Sequence, residues 1–171
     1  MRLAAVWVPD WPVLAAMAAA DIGANEPTAL YDNRRITAVS AAARAQGVRR
    51  GMRRRQAQAC CPELQLLTVD EGRDVRAFEP VVTAVEQVVS GVEVVRPGLI
   101  LLPVTGAARY HGGEAVLVEL LVNQVTKTTG YEVQAGIADG TLAAVLAARA
   151  AVVVAAGESA AFLASWPVLE L

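Results

Sequence analysis

The side chains in this sequence best suited to chemistry are arginines. Between Asn33 and Pro62 stand eight of them, Arg34, Arg35, Arg44, Arg49, Arg50, Arg53, Arg54 and Arg55, and no Asp or Glu. Five of the eight, from Arg49 to Arg55, fall within seven residues. Guanidinium groups at that density attract phosphates or an acidic protein surface. The other seven basic residues stand against all seventeen acidic ones, a net of −10, so a basic lobe is attached to an acidic body. A solvated face in an Arg-rich, Ala-rich chain is the plainer reading, and the local density favours the phosphate or acidic-partner reading. Arg44, Arg49, Arg50, Arg53, Arg54 and Arg55 are therefore the candidate nucleic-acid-binding residues.

Other reactive types are sparse. Cys60 and Cys61 are adjacent, a spacing that suits neither a stapling disulfide nor a zinc site. The only histidine, His111, lies in Tyr110-His111-Gly112-Gly113 with no nucleophile or acid beside it, which reads as a turn or cap. No metal ligand set and no cofactor is expected. Trp7 and Trp11 read as core or cleft-filling aromatics, with base stacking open to either if a cleft remains. Arg96 reads as a surface ion-pair partner.

The chain has 171 residues, enough for one large domain or two small ones. Its hydrophobic content is 55% and its mean hydropathy +0.41, yet no apolar run reaches the ~18–20 residues of a membrane helix. Pro9, Asp10 and Pro12 interrupt the apolar start, which argues against an export signal. Reduced cysteines and no export signal together predict a cytoplasmic protein.

The elements that must position these residues follow from periodicity. Leu3–Pro9 reads as a buried strand. Asp10 is expected to cap an Ala-rich helix with Pro12 in its first turn. Thr28–Tyr31 and Arg35–Val39 flank Asp32-Asn33 as a hairpin. Ser40 caps a short helix stopped by Gly47, a second helix runs over Met52–Cys60, and Leu64–Val69 is a strand. A helix over Asp74–Val89 contains Pro80, which should kink it or delay its start. Val92–Arg96 and Leu99–Val104 pair around Pro97-Gly98. Gly112–Thr128 is a helix with Leu117, Leu120, Leu121 and Val125 inward. Tyr131–Ile137 is a strand, Thr141–Ala150 a helix, Val152–Ala155 a short strand and Glu158–Ser165 a helix. With residues 11–70 set aside, the order is strand, helix, strand, strand, helix, strand, the split βαβ arrangement. The fold class is α+β: a ferredoxin-like βαββαβ domain, 1–10 and 71–171, carrying a mostly helical basic insertion, 11–70.

Three stretches carry a resemblance: Ala42-Ala43-Arg44-Ala45-Gln46-Gly47-Val48-Arg49-Arg50-Gly51-Met52, Cys61-Pro62-Glu63-Leu64, and Gly136-Ile137-Ala138-Asp139 before the helix Leu142–Arg149. In that order and at those separations the chain resembles Y-family, lesion-bypass DNA polymerases over nearly its whole length. The resemblance implies a polymerase palm with inserted fingers. It places Arg44 where an arginine faces the incoming triphosphate, and makes Gly136-Ile137 a turn after a palm strand. The chemistry it implies is two-metal phosphoryl transfer, with Mg²⁺ ions ~3.5–4 Å apart held by bridging carboxylates.

At the positions matching those carboxylates this chain has Trp7, Gly98 and Leu99. Pro12 matches the aromatic residue that excludes ribonucleotides, Ala41 the tyrosine at the triphosphate, and Val152–Val154 occupy the region of an expected lysine. Asp10 and Glu93 are the nearest substitutes, Asp10 read as a helix cap and Glu93 as alternating with Val92 and Val94. The pattern resembles the ImuB-type proteins of bacterial mutasomes, an inactive Y-family branch with a UmuC-like domain in the SOS response to DNA damage. That resemblance implies a non-enzymatic adaptor in translesion synthesis with weak, phosphate-mediated DNA binding. Its partners would be the sliding clamp, an error-prone C-family polymerase and a RecA-like accessory protein. Thumb and little finger are expected to lie outside these residues. An active polymerase using displaced carboxylates and a pure protein-interaction module are the two alternatives.

Overall fold

The structure, a computed structural model, describes residues 1–168. In chain order its elements are β1 (Arg2–Trp7), α1 (Trp11–Ala19), β2 (Thr28–Asp32), β3 (Arg35–Val39), α2 (Ala41–Ala45), α3 (Arg54–Cys60), β4 (Gln65–Thr68) and α4 (Glu71–Glu86). Then follow β5 (Glu93–Arg96), β6 (Leu99–Pro103), α5 (Thr105–His111), α6 (Glu114–Thr129), β7 (Gln134–Asp139), α7 (Thr141–Ala150) and α8 (Ser159–Ala164). They form two compact units. One comprises Met1–Pro9 and the chain from Glu79 on, and the other Asp10–Phe78. The division falls inside α4, which runs unbroken through Pro80.

The first unit is built on a four-stranded antiparallel sheet in the order β5-β6-β1-β7. With the end of α4 before β5, and α5 and α6 before β7, this unit has the ferredoxin-like arrangement expected, with the short α5 added. The central strand β1 is buried from Leu3 to Val6 because it has neighbours on both edges and helices over its faces. Leu3, Ala5, Leu99 and Leu101 meet Ala144 and Ala148 of α7. The α7 backbone lies so close to the sheet that a Cβ on Gly136 would stand 2.2 Å from the Ala147 carbonyl carbon. Gly136 is thus a mid-strand residue of β7 rather than the expected turn residue, and its missing side chain is what admits the helix.

Polar groups tie the unit at one end. The Arg2 guanidinium donates to both Glu114 oxygens at 2.7 and 2.6 Å, approaches Asp139 Oδ1 at 3.5 Å and donates to the Val154 carbonyl. The Gly157 N–H donates to Asp139 Oδ2 at 2.8 Å. That bond, with Arg2 adding to it, holds the Asp139 carboxyl below the usual carboxylate range.

Several expectations are corrected here. The stretch read as a turn, Tyr110-His111-Gly112-Gly113, begins inside α5, which ends only at His111 because Gly112 and Gly113 take positive φ (94° and 139°). His111 Nε2 donates to the Val88 carbonyl at 2.9 Å, a structural tether. Leu120 is 37% exposed, while Leu117, Leu121 and Val125 face inward as expected. The strand expected at 152–155 is one bridge, Ile137 to Val153. Arg96 is exposed and reaches the Pro97 carbonyl at 3.4 Å, with no ion pair among the described residues.

The second unit has a three-stranded sheet in the order β3-β2-β4, antiparallel between β2 and β3 and parallel between β2 and β4. On one side Val13, Ala16 and Met17 of α1 cluster with Leu30. Another cluster gathers Ala29, Ile36, Val39, Ala43, Val48, Ala57, Cys61 and Leu64. Cys61 is buried there and Cys60 is exposed. Trp11 is a core residue, edge-on to Phe78 at 5.0 Å with its indole N–H donating to the Asp74 carbonyl at 2.9 Å. Ser40 caps α2 through Ala43 N at 3.2 Å, as expected. Asp10 does not cap α1 with its side chain. It adopts a left-handed conformation (φ 56°), and its carboxylate serves another partner.

Candidate functional site

Two places matter chemically, one in each unit. In the first unit, the antiparallel register sets Trp7, the last residue of β1, directly opposite Leu99, the first of β6. Gly98, at φ 95°, turns the chain from β5 into β6, and its carbonyl accepts the Val8 N–H at 2.8 Å. Trp7 is half-buried and packs on the Leu99–Ala144 cluster. The Arg149 guanidinium lies 5.4 Å from the centre of its ring, a cation–π contact. Glu93 pairs with Leu101, two residues along β6, and is exposed. Indole, glycine and leucine offer no side-chain oxygen, and the charged group beside Trp7 is the Arg149 guanidinium. Hard divalent ions need carboxylate or carbonyl oxygens, so Trp7, Gly98 and Leu99 do not fit a Mg²⁺ pair. Among the described residues no three His, Cys, Asp or Glu side chains gather as a metal site.

In the second unit, the arginine-rich run is sorted by the fold into separate groups. The Arg44 guanidinium holds Asp10 with two bonds, at 2.8 and 3.2 Å, and reaches the Val39 carbonyl at 3.3 Å. This two-bond pair is where the Asp10 carboxylate goes instead of capping α1. Arg49 Nη1 donates to the carbonyls of Arg44 and Val48 at 2.7 and 3.0 Å. Arg50 is exposed. Arg53, Arg54 and Arg55 converge with Arg34 and Gln58 around an open cavity of about 580 Å³. The β2–β3 hairpin makes this convergence. Asn33 turns in the left-handed region, Arg54 N donates to the Arg34 carbonyl at 3.2 Å, and Arg53 bridges to Arg35. The Arg54 guanidinium lies 4.2 Å from the centre of the Tyr31 ring. Arg34, Gln58 and Tyr31 were outside the candidate set read from sequence. The signal for Arg34 was its place at the tip of a hairpin whose strands have to pair, and nothing local marked Tyr31.

Comparison with known proteins places this arrangement. Solved structures of similar fold include a Dbh ternary complex (TM-score 0.80, 16% identity, 99% of this chain and 52% of that one) and DinB from Sulfolobus solfataricus (0.80, 16%, 100% and 53%). An insertion ternary complex of Dbh DNA polymerase matches with a TM-score of 0.78 at 17% identity, over 100% and 54%. The fold is therefore that of the palm and fingers of Y-family DNA polymerases, and the chain spans about half the length of these structures. The impB/mucB/samB family model matches residues 13–149, and the chain belongs to that family. No curated protein sequence matches it. No helix among the described residues is long and apolar enough to cross a membrane.

Proposed function

We propose that this chain is the palm and fingers of a non-catalytic Y-family homologue that serves as a DNA-associated scaffold in damage-induced translesion synthesis. Met1–Pro9 and residues 79–168 form the palm in this reading, and Asp10–Phe78 the fingers. One observation supports it: Trp7 pairs with Leu99 and Arg149 lies over the indole, at the positions that the resemblance matches to the catalytic carboxylates. A cation and two apolar side chains repel a metal pair where an active enzyme must attract one. Against the displaced-carboxylate alternative stands the Asp10 carboxylate's ion pair with Arg44. Glu93 alone supplies one exposed carboxylate, and two-metal chemistry needs bridging groups held to sub-ångström tolerance.

Within this reading the chain is of the ImuB type, cytoplasmic, and works beside a sliding clamp, an error-prone C-family polymerase and a RecA-like accessory protein. The ternary complexes formed by its structural neighbours support contact with DNA. Primer extension by the longest natural form of the protein tests the central point. No incorporation above an EDTA control is expected, and EDTA-sensitive, template-dependent incorporation would overturn it.

A further inference from the structure

The convergence of arginines in the second unit is more specific than a basic face. We propose that Arg34, Arg53, Arg54, Arg55 and Gln58 form a binding site for the phosphodiester backbone of single-stranded nucleic acid. This rests on the reading of the chain as DNA-associated and not on its loss of catalysis. Four guanidinium groups and one amide line a single open cavity of about 580 Å³. All five residues are exposed, and the surrounding segment from Asn33 to Pro62 contains no acid to neutralise them. The nearest carboxylate in sequence, Asp32, sits at the end of β2 opposite Arg35. Arg44 and Arg49, by contrast, spend their donors on Asp10 and on backbone carbonyls. Guanidinium forks match phosphate oxygens in pairs, and the Gln58 amide adds a neutral donor.

The preference for a single strand over an acidic peptide comes from Arg54 and Tyr31. The Arg54 guanidinium lies over the Tyr31 ring, 4.2 Å from its centre, and is exposed on its other side. An exposed guanidinium face receives unpaired bases, which a duplex keeps stacked and a carboxylate chain lacks.

The test is fluorescence anisotropy of a labelled twelve-residue oligothymidylate against the 171-residue chain over a salt series. The triple variant Arg34→Ala/Arg53→Ala/Arg55→Ala, which leaves the Arg54–Tyr31 stack in place, should bind at least about tenfold more weakly. Its log–log salt slope should fall by about 2, since each phosphate contact to a single strand contributes about 0.7. Lysine at the same three positions should keep the slope while losing part of the affinity. The control Arg96→Ala/Lys127→Ala, at exposed basic residues of the other unit, should change binding by about threefold or less, and circular dichroism should show all variants folded. Duplex of equal length should bind more weakly than the single strand. Unchanged binding by the triple variant overturns the site and leaves the DNA-associated reading standing. No binding of the oligonucleotide by the wild-type chain overturns both. Preference for duplex, or binding only of a labelled oligoglutamate, overturns the assignment of the site to single-stranded nucleic acid.

Discussion

Replacing Gly136 by alanine should be among the most damaging single-methyl changes available to the palm. The added Cβ would lie 2.2 Å from the Ala147 carbonyl carbon, 2.3 Å from Ala148 N and 2.4 Å from the Ala147 oxygen. All three are backbone atoms, so no rotamer change relieves the clash. Ordinary contact begins near 3.4 Å, so α7 has to withdraw from β7 by about an ångström. That withdrawal loosens the packing of Ala144 and Ala148 on Leu3, Ala5, Leu99 and Leu101. Overpacking typically costs 1–3 kcal/mol, and an immovable partner puts this case at about 3 kcal/mol. For a chain of this size that is a fall in Tm of about 6–12 °C. Thermal unfolding followed by circular dichroism measures it. Gly106→Ala is the matched control, because it lies in α5 with open space at its Cβ. It should change stability by less than about 1 kcal/mol, in the favourable direction. A Gly136→Ala protein melting within 2 °C of the wild type would refute the close approach of α7.

Leu121→Ala should cost about 2–5 kcal/mol because Leu121 is fully buried on α6, whereas Leu120→Ala, on the exposed side, should cost well under half of that in the same chemical denaturation. Asp139 is held below its ordinary pKa of 3.8 chiefly by the Gly157 N–H, so its contribution is full above that ordinary value and is lost as pH falls through the depressed one. The stability gap between wild type and Asp139→Asn should therefore be constant from pH 7 to about 5 and close below pH 4, and a gap unchanged at pH 2–3 would show that the carboxylate contributes no linkage. On the proposed reading, placing acids with Trp7→Asp, Gly98→Asp and Leu99→Glu should not produce polymerase activity, because Pro12 and Ala41 also differ from the residues that the resemblance to Y-family polymerases expects there. The triple variant should also melt lower, since Leu99 is buried and Gly98 sits at φ 95°. Primer extension and melting curves on the same preparation read both effects.

The palm was legible because its signals are local and strong. The apolar runs at Leu3–Val6 and Leu99–Leu102, the Pro97-Gly98 turn and the Thr141–Ala150 helix each carry their own periodicity or punctuation. The βαββαβ order then follows from counting them. What the sequence hid is long-range. Asp10 looked like a helix cap because aspartate before an apolar helix usually is one, and only the fold reveals Arg44 thirty-four residues away as its partner. Helix α5 hid because its seven residues are too short for a periodic stripe and stop at two glycines. Gly136 read as a turn residue, since nothing local distinguishes a glycine needed for a turn from one needed for a passing helix. The six candidate arginines share one acid-free stretch of sequence, yet the fold sends Arg44 and Arg49 to acceptors of the chain itself and brings Arg34 in from the hairpin to meet Arg53, Arg54 and Arg55.

The most direct measurement on the palm is electron paramagnetic resonance of Mn²⁺ added to the protein with primed DNA and a deoxynucleoside triphosphate. Trp7, Gly98 and Leu99 supply no ligand oxygen, and Arg149 adds a positive charge beside them. The spectrum should therefore contain only aqueous Mn²⁺ and Mn²⁺ held by the nucleic acid and nucleotide themselves. A protein-dependent, spin-coupled Mn²⁺ pair would contradict the non-catalytic reading at its root.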